Sequence, residues 1–321
     1  MNTLILSRKD VLKLIDMKLV IKEVEKAFYE MATGQAKMPA KSYVRLENGD
    51  FRAMPAALAD GSGVKWVNVH PFNRKYNLPT VMATIIYNDP ETGYPLAIME
   101  ASEITAYRTG ATSAIASRCL ANPHASTLGL VGAGRQAQTQ LEAHLELFEF
   151  SSIRVFDIDQ GRAQTLAESY PELPIKASSI EEACNSEIIC TTTPATKPLV
   201  KYDWIKKGTH INAIGADAPG KQELEGLIIR NARVIVDDIE QVVKSGEINM
   251  PIQKGEFFAE DIAGTLGDCI TGHINCRLHH NEITVFDSTG IAIEDIAVAR
   301  AVYKMATQAN PGNYLRLDLF N

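Results

Sequence analysis

The sequence contains no apolar run near the ~18 residues that a membrane-spanning helix needs, so no spanning segment is expected. Its opening residues, from Met1 to Asp10, lack the order of positive charge, apolar stretch and small-residue cleavage site of a secretory leader, and the expectation is a cytoplasmic protein. Glycine (21) and proline (14) are too scarce for a fibrous or low-complexity chain. There is no basic excess: Lys+Arg 32 against Asp+Glu 39 leaves a net charge of −7, which argues against nucleic acid or an anionic membrane surface as partner. The five cysteines, Cys119, Cys184, Cys190, Cys269 and Cys276, are odd in number, and their spacings of 65, 6, 79 and 7 match no zinc or redox motif. They read as reduced, buried thiols, and no metal is expected. G-x-S-x-G, H-E-x-x-H and phosphate-loop motifs are all missing, so hydrolase and NTPase chemistry have no support.

What is present is the composition of a packed chain, 45% hydrophobic and 22% charged, which excludes global disorder. At roughly 100–200 residues per domain, 321 residues suggest two domains. The pattern changes near residue 125. Before it, a strand at 3–6 leads to a helix capped by Ser7 with Asp10 in its first turn, and a second helix buries Val20, Val24, Ala27, Phe28 and Met31 until Gly34 stops it. Runs at 41–46 and 51–57 flank Glu47-Asn48-Gly49-Asp50, a hairpin signal, and 63–69, 80–87 and 94–101 read as further strands of a mostly antiparallel sheet. A long helix over 102–121 bridges to the second half. There, strands at 127–131, 153–156, 188–191, 210–214, 234–236 and 283–286 are spaced by helices, which implies a parallel sheet with right-handed crossovers. A final helix over 291–306 lies beyond the last strand, and its return to the N-terminal part would make that domain discontinuous. The expected fold class is α/β: a Rossmann-type doubly wound parallel sheet plus a discontinuous, mostly antiparallel α+β domain.

The sharpest feature is Leu128-Gly129-Leu130-Val131-Gly132-Ala133-Gly134-Arg135-Gln136-Ala137, a strand followed by G-x-G-x-x-A and a helix. Gly132 permits the tight turn, Gly134 lets backbone approach a pyrophosphate, Ala137 lets helix and strand pack, and the helix N-terminus offers free N–H groups to phosphates. Asp157 ends the next strand, 25 residues after Gly132, near the spacing of a carboxylate that bonds the adenosine ribose. A carboxylate there repels a 2′-phosphate and favours NAD over NADP, unless a neighbouring base such as Arg162 rescues NADP.

Several charged residues fall where apolar ones are expected. On period two, Lys65 shares a strand face with Val67 and Val69. It is either a snorkelling edge lysine or a buried one, whose lowered pKa suits a general base. Arg52 and Arg108 are each a structural arginine or a carboxylate or phosphate binder. Asp217 sits in Gly215-Ala216-Asp217-Ala218-Pro219-Gly220, a loop at the carboxyl end of a parallel strand, where open α/β sheets bind ligands. Its alternative is to cap a helix near Gln222. Asp287-Ser288-Thr289-Gly290 ends the last strand at the same edge, for binding or for capping the final helix. His70 has no acidic neighbour in sequence and reads as structural.

Taken together, these pieces resemble the ornithine cyclodeaminase/mu-crystallin family, and within it the archaeal-type L-alanine dehydrogenases. The resemblance spans nearly the whole chain. It rests on Arg52-Ala53-Met54-Pro55-Ala56, Lys65-Trp66-Val67-Asn68, Leu78-Pro79-Thr80-Val81, Tyr107-Arg108-Thr109-Gly110-Ala111, the glycine loop, the segment from Gly215 to Leu224, and Phe286-Asp287-Ser288-Thr289-Gly290, all in one order. It implies a homodimer. Residues 1–120 and 296–321 would form the dimerisation and substrate domain, and residues 121–295 the NAD-binding Rossmann domain. It also implies a catalytic Lys65, an acid–base Asp217 and a substrate-binding Lys41. Arg108 would lie on cofactor or substrate carboxylate and Thr80 on the nicotinamide side, while Gly132, Gly134, Arg135, Gln136, Asp157, Lys221 and Ser288 would line the dinucleotide site. The cyclodeaminases of the family carry a glutamate where this chain has Arg52, and reversing that charge removes the partner of a second amino group.

The expected activity is therefore NAD-dependent, reversible oxidative deamination of a small L-amino acid, L-alanine to pyruvate and ammonium. Ornithine cyclodeamination with recycled NAD and reduction of a cyclic ketimine remain as alternatives. So does a mu-crystallin-like protein that binds NAD(P)H and a small ligand without turnover.

Overall fold

A computed structural model of the chain describes residues 2–308 and 314–320. Residues 1, 309–313 and 321, which the sequence reading assigns to the dimerisation and substrate domain, lie outside the described residues. The chain divides into two compact units, Met1–Arg108 with Ile291–Asn321, and Thr109–Gly290. The first division falls inside the helix Ser102–Leu120 and the second just ahead of the last helix, whereas the bounds implied by the resemblance lie at 120 and 295.

The first unit begins with β1 (Thr3–Leu6), α1 (Arg8–Leu14) and α2 (Met17–Ala32). Ser7 and Asp10 form a reciprocal capping box on α1, and the Asp16 side chain accepts from the Leu19 N–H at the start of α2. β2 (Ser42–Leu46), β3 (Gly49–Leu58), β4 (Gly61–Val69), β5 (Val81–Asn88), β6 (Pro95–Glu100) and α3 (Ser102–Leu120) follow. The hairpin loop is shorter than the four-residue turn read from sequence, because Gly49 and Asp50 already pair with Leu46 and Arg45.

The second unit alternates β7 (Thr127–Val131), α4 (Arg135–Leu145), β8 (Ser152–Phe156), α5 (Gln160–Glu168), β9 (Ile175–Ala177), α6 (Ile180–Cys184), β10 (Ile188–Thr191), β11 (His210–Ala213), α7 (Gly226–Asn231), β12 (Ala232–Val236), α8 (Ile239–Ser245), α9 (Asn249–Gln253), β13 (Gly264–Thr265), α10 (Leu266–Thr271) and β14 (Ile283–Asp287). The chain then returns to the first unit as α11 (Ala292–Gln308) and β15 (Leu315–Leu317).

Among the described residues the first unit's sheet runs β15-β1-β6-β5-β4-β3-β2, antiparallel except where β1 meets β6. α11 lies over β3, β4 and β5 and against α2. Strand alternation sends Arg52, Met54, Ala56, Lys65, Val67, Ala83 and Ile85 to the buried face. On the opposite face, register lines up Pro55, Val64, Ile86 and Ile98 in one row and Ala53 with Trp66 in the next. Trp66 and Ile86 there stay exposed.

The second sheet is parallel throughout the described residues, ordered β13-β12-β14-β11-β10-β7-β8-β9. Helices cover both faces, so its strands read as continuous apolar runs feeding two core clusters, one around Leu128, Leu130 and Cys190, the other around Val131, Ile189 and Val285. The chain runs outward from β7 to β8 and β9, then crosses back to β10 on the other side of β7. The order thus reverses beside the carboxyl end of β7, where such sheets bind ligands. Among the described residues no helix is long and apolar enough to cross a membrane.

α11 carries Arg300, whose side chain is fully buried. Its guanidinium meets Glu23 Oε2 at 2.9 Å, Glu30 Oε1 at 3.4 Å and the Asp60 carboxylate, tying α11 to α2 and to the β3–β4 turn. Arg300→Met should leave the buried Glu30 with Lys26, 3.2 Å away, as its one remaining cation among the described residues, and lower unfolding free energy by about 3 kcal/mol in denaturant melts. Adding Glu30→Gln should recover part of the loss, and an unchanged melt would deny the arginine this role.

Candidate functional site

In the second unit, Gly132 holds φ at +105°, and its N–H donates to Phe156 O at 2.8 Å. A Cβ there would come within 2.7 Å of Thr192 Oγ1, so only glycine makes this turn. Gly134 is the N-cap of α4, without a side-chain cap, and nothing stands within 4 Å of where its Cβ would be. The backbone at the start of α4 is therefore uncrowded on the Gly134 side. Gln136 Oε1 is buried with no hydrogen-bond partner among the described residues, an acceptor suited to a ligand donor. Arg135 is exposed at the same helix start. These features fit a dinucleotide: a turn without a side chain, an uncapped helix N-terminus and an orphaned acceptor.

Asp157 follows β8 and steadies this loop. Its Oδ2 accepts from Ala133 N–H at 2.8 Å and its Oδ1 from Asp159 N–H at 2.9 Å. Arg162, the basic residue that could serve a 2′-phosphate, leans on Asp159 at 3.5 Å.

The loop after β11 is fastened from behind by buried acids. Glu223 accepts from Thr191 Oγ1 at 2.6 Å, from Thr193 N–H and Oγ1 at 2.7 Å each, and from Gly215 N–H at 2.8 Å. Glu247 accepts from the N–H groups of Glu223 at 2.9 Å and Leu224 at 2.6 Å, and Asp287 from those of Glu247 and Ile248 at 2.9 Å each. Burial pushes the carboxyls of Glu223, Glu247 and Asp287 up, and for Glu247 and Asp287 the neighbouring acids add to the rise. In front of this ladder Asp217 Oδ1 takes Lys221 Nζ at 2.5 Å, both side chains partly exposed. No helix starts near Gln222, since α7 begins at Gly226, so the capping alternative for Asp217 falls away. Ser288 is buried and donates to Asp237 Oδ2 at 3.1 Å, an acceptor shared with the N–H groups of Thr289 and Gly290. Its segment is held by Asp237.

In the first unit Lys65 is 1% exposed on β4, which lies between β3 and β5, so it is no edge lysine. Its Nζ is 2.6 Å from Asp295 Oδ2 and donates to Thr105 Oγ1 at 3.3 Å. Arg108 is also buried, its Nε 3.2 Å from Asp295 Oδ1 and its Nη1 2.6 Å from Glu294 Oε2. Burial pulls the Lys65 amine down to about 8; Asp295 opposes that shift and the Arg108 charge adds to it. Arg52 sits one strand away on the same face, diagonal to Lys65, with its Nε 2.7 Å from Asp50 Oδ1 and its guanidinium 5.3 Å from the Tyr43 ring centre. Lys41 is half-buried just before β2, and Thr80, in the bend before β5, accepts from His70 N–H at 2.8 Å. His70 packs on Phe51 and bonds Asn68.

A profile of the ornithine cyclodeaminase/mu-crystallin family matches residues 1–310. The chain belongs to that family. It is 46% identical over 318 residues to the alanine dehydrogenase of Archaeoglobus fulgidus, covering 98% of this chain and 99% of that protein. An archaeal alanine dehydrogenase dimer solved with bound NAD superposes with a TM-score of 0.97 at 44% identity over the full length of both chains. The Δ1-pyrroline-2-carboxylate reductase of Thermococcus litoralis, solved with NADH and L-proline, follows at TM-score 0.93 and 39% identity, covering 98% and 99% of the two chains.

Sequence reasoning missed Glu294 and Asp295, the anions of the Lys65 patch, and the supporting acids Asp50, Glu223, Glu247 and Asp237. The readable signal was an acidic pair inside the otherwise apolar run Ile291-Ala292-Ile293-Glu294-Asp295-Ile296-Ala297-Val298. Among the described residues of this family member, no group of three His, Cys, Asp or Glu side chains is arranged to hold a metal.

Glu223 receives four donors, and an amide could not accept them all. Glu223→Gln should therefore cost about 1–3 kcal/mol in urea unfolding. Unchanged stability would mean that the carboxylate does not hold these loops.

Proposed function

We propose that the protein is an NAD-dependent amino-acid dehydrogenase that converts L-alanine, NAD+ and water into pyruvate, ammonium, NADH and a proton, reversibly. The observation that carries this reading is the buried Lys65 amine, held near neutral pKa, in a chain that matches an archaeal alanine dehydrogenase from end to end. The first unit serves as dimerisation and substrate domain and the second as the NAD-binding domain. Bound NAD supplies the acceptor for the hydride leaving the substrate Cα. The loop from Gly132 to Gln136 cradles its phosphates, Asp157 selects the ribose 2′-hydroxyl, and Thr80, Arg108, Lys221 and Ser288 line the rest of its site. Lys65, unprotonated in part near pH 8, takes a proton from the substrate nitrogen or from the water that hydrolyses the imine, and Asp217 is the second proton carrier. Lys41, Arg52 and Arg108 hold the substrate carboxylate.

Two copies are proposed to pair through the uncovered sheet face that presents Pro55, Val64, Trp66, Ile86 and Ile98, because such a face is costly to leave in water. Dependence on a diffusible dinucleotide pool supports a cytoplasmic location.

The deciding assay supplies NADH with pyruvate and ammonium, and separately a trace of NAD with ornithine. Expected is one NADH oxidised per alanine formed and no proline from ornithine. Efficient proline formation, or dinucleotide binding without turnover of either, would overturn the reading. Asp157→Ser should raise the KM for NAD about tenfold, the equivalent of ~1.4 kcal/mol, and narrow the gap to NADP. A native enzyme that prefers NADP would refute the assignment of Asp157.

A further inference from the structure

We propose that Asp295 is the positioning residue of the Lys65 site: one of its carboxylate oxygens holds the Lys65 amine and the other the Arg108 guanidinium, so a single side chain sets both the spacing and the charge balance of the two groups. The inference rests on the reading of Lys65 as a proton carrier.

Both contacts are buried ion pairs at short range. Asp295 Oδ2 lies 2.6 Å from Lys65 Nζ, and Oδ1 lies 3.2 Å from Arg108 Nε. Lys65 comes from β4, Arg108 from α3 and Asp295 from the first turn of α11, so the carboxylate joins three elements. Arg108 has a second anchor in Glu294, whose other oxygen accepts from Ile291 N–H at 3.2 Å. Among the described residues Lys65 pairs with no second anion; besides Asp295 its polar contact there is the Thr105 hydroxyl. Asp295 is thus the more consequential partner for the lysine, and Glu294 for the arginine.

The groups that bear on Lys65 are few. α11 contributes Glu294 and Asp295, and α3 contributes Arg108 and Thr105. On β3, Met54 lies opposite and Arg52, held by Asp50, lies diagonal; on β5, Ile85 lies opposite, flanked by Ala83 and Tyr87. Burial pushes Tyr87 up to about 12, so it stays neutral through the working range. The patch of Lys65, Arg108, Glu294 and Asp295 balances two positive and two negative charges. Asparagine at 295 leaves it one positive charge in excess, which favours the neutral amine. If the free amine is the active form, kcat/KM for alanine rises with pH as Lys65 deprotonates, and losing the Asp295 charge moves that acid limb to lower pH.

Asp295→Asn and Asp295→Glu test the proposal beside Lys65→Ala. Asp295→Asn should shift the acid limb of kcat/KM down by about one pH unit or more, corresponding to at least a tenfold change in the amine's proton affinity. It should also lower kcat about tenfold, a larger loss than any change in NADH binding followed by fluorescence, since Arg108 keeps Glu294 as its second anchor. Asp295→Glu keeps the charge but moves it by one methylene; it should keep the acid limb in place and still lower kcat. Should the asparagine variant fail to fold, the glutamate variant decides by its split between pH limb and kcat. Native kcat, KM and pH limb in the folded variants would overturn the positioning role while leaving an inactive Lys65→Ala, and with it the proposed catalysis, intact. An active Lys65→Ala would instead sink the catalytic reading itself.

Discussion

Two cations and two anions share one buried patch where α11 begins, and the first unit is arranged around the need to keep them paired. Taking a charge out of water costs several kcal/mol even after relaxation, and removing one partner leaves that cost uncompensated. Lys65 and Arg108 can lie at 1% and 6% exposure only because α11 brings Glu294 and Asp295 to them. That helix is buried on nearly every side, so its other charged core residue, Arg300, must also be answered from within, by Glu23, Glu30 and Asp60. One helix therefore carries both the counter-ions of the buried Lys65 and Arg108 and the clamp that fixes its own seat. This is a physical reason for the chain to send its last helix back to its first sheet.

The second unit meets a different constraint with the same residue type. A parallel sheet ends its strands in loops whose N–H groups point away from any ladder, and a buried N–H must find an acceptor. Here acids provide it in series: Asp287 holds the backbone of Glu247, Glu247 holds that of Glu223, and Glu223 holds Gly215, two residues before Asp217. Burial raises the pKa of all three acids, which is the cost of the arrangement, and the fixed loop edge is its result. The glycine loop is served likewise by Asp157 through Ala133. A ligand that enters at this edge meets backbone already held in place, and little ordering remains to be done on binding.

Long periodic segments and punctuated loops were legible in the sequence; residues that matter only through a distant partner were not. The strands from β1 to β8, the bridging helix and the glycine loop all announce themselves by period or by glycine. β9, β13 and β15, at three, two and three residues, are too short to show any period. The Asn48-Gly49 turn was located, but pairing continued two residues further into it, because register is settled across strands rather than by the turn alone. Lys65 stood out as a charge on an apolar face. Its counter-ion lies 230 positions later in the chain, where an acid in the first turn of a helix passes for ordinary dipole compensation. Glu223 and Glu247 fail to show for the same reason: their function is to accept backbone N–H groups, and no spacing encodes that.

The same energetics bear on whether such a chain turns over substrate or merely holds one. A protein selected only for stability and binding often loses nothing, or gains, when a buried ion network is replaced with well-packed apolar side chains of similar volume. Keeping Lys65 inside, with its amine down at about 8 and a carboxylate at 2.6 Å that it shares with Arg108, makes physical sense where a proton must be taken up and released near neutral pH. If Arg52 holds the substrate carboxylate as proposed, it narrows the choice of substrate. Asp50 already takes its Nε at 2.7 Å, so the arginine presents less charge than a bare guanidinium, and it is better placed to complete a carboxylate site than to dominate one. It remains a donor without acceptor capacity, diagonal to the lysine on the same face. On that proposed placement, a distal ammonium on the substrate would meet two cations, and among the described residues the anions beside them, Asp50 and Asp295, are already engaged. A short side chain such as a methyl group avoids that conflict, which favours alanine over a diamino acid on charge alone.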